Sequence, residues 1–129
     1  MRLLFCALVL MLAACNAPGP LMRGMPAQQV TVNGDTYDVR RNGPYMQAIR
    51  RNLRGLPRIS EIAAGAEAAM EQVSGCDVAW LTGDVAVMVG GLSCDGEKPP
   101  KRPAQRGPDI YDCAVSTVPG PVTLDCTRL

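Results

Sequence analysis

ISEIAAGAEAAMEQVSGCDVAWLTGDVAVMVGGLSC, residues 59–94, joins a helix-period stretch to two valine-rich runs across a glycine, and its reading decides the fold. Ile59, Ile62, Ala63, Ala66, Met70 and Val73 recur at spacings of three and four, which places them on one face of a helix; Glu61, Glu67, Glu71 and Gln72 fall on the other. Ser60 is an expected N-cap, because its hydroxyl can accept from the unpaired amides of the first turn. Gly75 suits the left-handed residue that ends a helix, so the helix is predicted over about residues 60–74. CDVAW and DVAVMVGGLSC then read as two strands with a turn at Leu81-Thr82-Gly83. Cys76, Val78 and Trp80 share one strand face. In the second run Val85, Val87 and Val89 oppose Ala86 and Met88, so both faces are apolar and the strand is expected in the sheet interior. The pair Gly90-Gly91 points to a bulge or a close backbone approach.

Upstream, QVTV-NG-DTYDVRR is a hairpin signal, since Asn33-Gly34 supports the positive φ angles of a type I′ turn. Val30 and Val32 should then share a core face with Tyr37 and Val39. The stretch NGPYMQAIRRNLRGLP admits two readings. As a helix, Pro44 sits in the first turn and Tyr45, Met46, Ile49, Leu53 and Leu56 form one stripe. As a strand, Asn42-Gly43 is a second hairpin turn, and Tyr45, Gln47 and Ile49 alternate with Met46 and Ala48. In either case Arg40, Arg41, Arg50, Arg51, Arg54 and Arg58 fall within 19 residues that hold no acid. They form either a patch for phosphate-bearing lipid, lipopolysaccharide or an acidic protein, or a solvated basic face balanced by the helix glutamates.

The chain begins MRLLFCALVLMLAAC, with one basic residue, an apolar run of about a dozen residues that is too short to span a bilayer, and small residues before a cysteine. Leu12-Ala13-Ala14-Cys15 resembles a bacterial lipobox, the pattern cleaved before a cysteine that is lipidated and becomes residue one. The resemblance implies that residues 1–14 are a signal peptide, that Cys15 carries acyl chains, and that the protein is held in the cell envelope. The other reading is an ordinary secretory signal or a buried helix. Asn16 after the cysteine, where aspartate signals inner-membrane retention in enteric bacteria, implies the outer membrane, facing the periplasm. Residues 16–27, with three prolines, two glycines and no apolar period, read as a flexible tether that reaches about 40 Å when extended.

Without the leader about 115 residues remain, one small domain with tails, carrying equal numbers of basic and acidic side chains, so overall charge selects no partner and nothing points to nucleic acid. Aromatic residues are only 4% of the chain, which leaves a core of Val, Ile, Leu, Ala and Met that gains from staples. Cys76, Cys94, Cys113 and Cys126 read as two disulfides in an oxidising compartment, with three possible connectivities. Residues 95–109, DGEKPPKRPAQRGPD, have the composition of an extended, solvated linker. In residues 110–129, Cys113 and Cys126 lie six positions either side of Pro119-Gly120, so a turn there would set them opposite each other. The expected pairing is sequential, Cys76 with Cys94 and Cys113 with Cys126, although the first faces an offset of about five positions if the hairpin turns near Leu81. The alternative is a bridge from Cys94 to the tail.

The order of lipobox, hairpin, arginine-bearing segment, amphipathic helix, Gly75-Cys76 and Leu92 to Cys94 resembles small uncharacterised envelope lipoproteins of proteobacteria over about residues 30–94. That resemblance brings no activity with it. The expected fold is α+β: a small antiparallel sheet over residues 28–94 with the helix packed on one face, and a disulfide-linked hairpin or loop at the C-terminus.

With no histidine, the usual triads and every zinc pattern that includes histidine are excluded. No CxxC, Walker loop, GxGxxG or GxSxG occurs, and nothing implies a metal or a cofactor. Glu67 and Glu71 lie one turn apart but read as a solvated acidic face. Asp77, Asp84 and Asp95 sit where turn and cap residues belong. The leading expectation is a non-catalytic, lipid-anchored envelope protein that binds anionic lipid or another envelope component. The alternatives are a small periplasmic hydrolase using carboxylates or a serine such as Ser74 or Ser93, and an inhibitor of an envelope enzyme.

Overall fold

Two glycine-bearing turns and strict side-chain alternation fold the first half of the domain into a three-stranded meander. The computed structural model describes residues 17–53, 55–104, 111–116 and 123–128. β1 (Gln28–Val32) reverses at Asn33-Gly34, whose φ angles are +52° and +86°, into β2 (Asp35–Asn42). Val30 pairs with Tyr37 and Gln28 with Val39, so Val30, Tyr37 and Val39 line one buried face as the pattern requires. Gly43 (φ +57°) and Pro44 turn the chain into β3 (Tyr45–Arg50), which settles residues 45–50 as strand. Met46, Gln47, Ala48 and Ile49 are all buried, because β3 lies inside the sheet and is covered on both faces.

The helix α1 (Ile59–Ser74) crosses from β3 to β4 (Asp77–Gly83), and β5 (Val87–Ser93) inserts between β3 and β4. The sheet order is β1-β2-β3-β5-β4, antiparallel throughout, so β5 is interior as its two apolar faces demanded. α1 packs on one face: Ile62, Ala66, Ala69 and Met70 meet Val30, Tyr37, Val39, Met46, Ala48, Met88 and Leu92 in one cluster. Small residues let the helix approach closely. A Cβ at Gly65 would stand 2.5 Å from the Tyr37 hydroxyl, which donates to the Ile62 carbonyl at 3.4 Å.

The helix ends at Gly75 with φ +69°, as expected, but it does not start on a Ser60 cap. Arg58 is the N-cap residue, in extended conformation and with no side-chain cap bond, and Ser60 lies exposed in the first turn. Ile59, packed against the core, opens the helix directly after the Pro57-Arg58 segment. Glu71 also departs from the solvated face. Its carboxylate accepts from the Val78 amide at 3.2 Å and ties α1 to the start of β4.

The reversal between β4 and β5 falls three residues later than Leu81-Thr82-Gly83. The Asp84 carboxylate accepts from the Ala86 and Val87 amides at 2.8 and 2.9 Å, and the strands pair from Gly83↔Met88 outward. That shift removes the offset that made the first disulfide difficult. With a register irregularity between Val78 and Trp80, Asp77 pairs with Ser93 and Cys76 bonds Cys94 at a Cα separation of 4.7 Å. Both glycines of β5 permit close approach. The Met70 sulfur would lie 2.8 Å from a Cβ at Gly90, and the Trp80 indole occupies the space a Cβ at Gly91 would need.

Residues 17–27 are not a free tether. A 3-10 turn at Pro20–Met22 lies on the sheet face opposite α1, where the Gly19 amide donates to Gln47 Oε1 at 3.2 Å and Asn42 Nδ2 donates to the Leu21 carbonyl at 2.7 Å. Met22 is buried. The start of the 95–109 linker is also held: Trp80 Nε1 donates to the Pro100 carbonyl at 2.7 Å and Arg102 Nη2 to the Leu81 carbonyl at 3.0 Å. At the C-terminus β6 (Tyr111–Ser116) and β7 (Thr123–Arg128) pair antiparallel with Cys113 directly opposite Cys126, and the two are bonded. The molecule is thus α+β, with a five-stranded sheet, one helix on it and a disulfide-linked hairpin. The leader, Cys15, Arg54, residues 105–109 and the turn at Pro119-Gly120 lie outside the described residues.

Candidate functional site

The five described arginines of residues 40–58 do not share one surface, and two of them, Arg50 and Arg51, are answered by acids on β2. Arg40 faces away from α1 beside Gln47 and is buried, with no hydrogen-bond partner for Nη1 among the described residues. The Arg50 side chain is also buried. Its Nη1 stands 3.6 Å from Asp35 Oδ1, an ion pair longer than a hydrogen bond, and its Nε donates to the Val85 carbonyl at 2.9 Å. Neither is at the surface. Arg41 is exposed and serves the far end of the sheet, donating from Nε to the Gly43 carbonyl at 3.0 Å and from Nη1 to the Ser74 carbonyl, at the C-terminal end of α1, at 3.5 Å. Arg51 reaches Asp38 at 3.5 Å with about half its side chain in water, a pair of small energetic worth. Arg58 is exposed and makes no ion pair among the described residues.

Between Arg51 and Arg58 runs a loop whose sequence reads as part of a helical stripe only if residues 44–56 are helix. With β3 ending at Arg50, Leu53 and Leu56 lose that stripe, and their relative exposures are 105% and 98%. Leu56 also takes φ +48°, a left-handed conformation that costs a branched side chain on the order of 1–2 kcal/mol. No packing offsets that strain. The loop's first residues are held to the β1–β2 hairpin: the Arg51 amide donates to the Thr36 carbonyl at 2.8 Å, the Thr36 amide to Asn52 Oδ1 at 2.5 Å, and Asn52 Nδ2 to the Gly34 carbonyl at 3.3 Å. A fixed base thus presents two apolar side chains flanked by cations. Gly55 and Pro57 are turn-forming residues, a loop signal that the helical reading of residues 44–56 passes over.

Among the described residues, the Asp35 carboxylate and the candidate serine hydroxyls are engaged by the fold. One hollow, of about 440 Å³ beside Tyr37, is lined by Asp35 and Glu61, but Asp35 faces Arg50. A second, of about 330 Å³, lies between Arg41, Leu92, Cys94 and Lys98. Ser74 Oγ accepts from the Cys76 amide at 3.2 Å, and Ser93 Oγ donates to the Glu97 carbonyl at 2.8 Å, so both hydroxyls serve the backbone. Glu67 is exposed. No group of three or more Cys, Asp or Glu that could hold a metal ion occurs among the described residues, and no described helix is long and apolar enough to cross a membrane. The chain matches no protein-family model, no curated protein and no solved structure.

Proposed function

We propose that this is a lipid-anchored, non-catalytic binding protein of the bacterial cell envelope, acylated at Cys15 and held on the outer membrane facing the periplasm. The observation that carries the reading is Leu12-Ala13-Ala14-Cys15 at the end of a short apolar leader. Two disulfides support it, because such bonds persist in oxidising compartments. The binding role rests on the cationic, leucine-bearing loop, to which Arg51, Arg54 and Arg58 bring positive charge for an anionic surface. Its electrostatic share should weaken as salt screens it.

Cys15→Ser tests the anchor. The variant should leave the membrane fraction or change compartment and lose the acyl mass from its N-terminus. A variant that fractionates as wild type does, with an unchanged N-terminal mass, would overturn the assignment.

A further inference from the structure

We infer that Leu53 and Leu56 form a second membrane contact, entering an anionic bilayer while Arg51 and Arg58 sit at its phosphates. The inference rests on the lipid-anchor reading for the identity of the membrane, but its geometry comes from the fold. Two leucines in full contact with water, one of them in a strained backbone conformation, are unrewarded within the domain itself. Their flanking cations match lipid phosphate, and apolar tips between basic residues are the chemistry of an interfacial anchor.

The attachment point of the chain selects a bilayer over a protein partner. Gly19 is fixed to Gln47 and lies only four positions after Cys15, a reach of about 14 Å. From Gln47 the loop begins four residues on, past Arg50 at the end of β3, about 10–13 Å away. The segment runs from Gly19 at Gln47 to Leu21 at Asn42, so from Gly19 onward it proceeds away from the loop. An acylated Cys15 and the two leucines can therefore meet one membrane surface. Because residues 19–22 are docked, the 40 Å leash implied by composition is cut to about a third, and the domain lies against the membrane that holds it.

The test uses the full mature protein, purified from membranes and reconstituted into vesicles of phosphatidylcholine with phosphatidylglycerol, some carrying brominated acyl chains. Leu53→Trp adds an indole at a fully exposed position, and Trp80, half-buried in the sheet, supplies the baseline in wild type. The variant should lose emission to brominated lipid that wild type keeps, and wild-type amides of residues 52–56 should gain protection from hydrogen exchange on the vesicles. An unquenched added indole with unprotected amides overturns the proposal. Equal quenching in phosphatidylcholine alone overturns its anionic half. Protection that requires envelope proteins rather than lipid overturns it in favour of a protein partner. Intact mass of the same preparation reports the anchor separately. A chain without acyl groups whose indole is quenched keeps the loop and removes the anchor; an acylated chain whose indole is not quenched does the reverse.

Discussion

Cys76–Cys94 and Cys113–Cys126 close loops of similar length, with sequence separations of 18 and 13, yet they sit in regions of opposite character. The first bridges β4 and β5 beside a helix-on-sheet core in which Met46, Ala66, Ala69 and Met70 are wholly buried. The second joins two strands that pack on each other and make at most marginal contact with the core elements among the described residues. There Val115 pairs with Leu124, and both stay more than half exposed, as does Tyr111. A two-stranded hairpin is marginal in water by itself. One bridge therefore adds to burial, whereas the other stands in for it.

Four substitutions would break or sharpen that contrast. The largest effect should come from Met70→Ala, which opens a cavity between α1 and Gly90 and should cost roughly 2–5 kcal/mol in denaturant unfolding followed by Trp80 emission. An effect near zero would mean that the core does not depend on this contact. Replacing Cys76 and Cys94 together by serine should lower stability by roughly 2–4 kcal/mol while unfolding stays cooperative. The same replacement of Cys113 and Cys126 should leave the core transition where it is and strip amide protection from residues 111–116 and 123–128; a shifted core transition would show the two regions to be coupled. Among the substitutions that touch the core, the smallest effect is expected from Gly65→Ala. Helix propensity alone favours alanine by about 1 kcal/mol, but its Cβ would press on the Tyr37 hydroxyl, so a net loss of roughly 1–3 kcal/mol should appear. A net gain would show that Tyr37 can move aside.

The parts of this fold that were legible in the sequence are those where local chemistry and packing agree. The period of Ile62, Ala66 and Met70, the Asn33-Gly34 turn and the left-handed Gly75 each state one structure twice. Residues 45–50 were ambiguous for a physical reason: a strand covered on both faces loses its alternation, and Tyr45, Met46 and Ile49 then fit a helical stripe equally well. The later turn at Asp84 was missed because Thr82-Gly83 looks like a turn by composition, while Asp84 acts through hydrogen bonds that only the folded chain reveals. Residues 17–27 read as tether because their one buried residue, Met22, has no periodic companion. The arginines were legible as a cluster but not as a site, since burial of Arg40 and Arg50 depends on the sheet, and the exposure of Leu53 and Leu56 follows only once β3 is a strand.

The proline-bearing stretch after Cys94 has one more consequence. β4 is an outer strand, and outer strands with bare carbonyls and amides recruit strands from other molecules. Arg102 takes the Leu81 carbonyl and Pro100 takes the Trp80 indole, so this segment lies alongside β4. Its prolines, lacking amide hydrogens, could not continue the ladder for an incoming chain. A chain cut after Cys94 would keep its core and its first disulfide but lose this guard, and strand-to-strand self-association along β4 would be its expected fault.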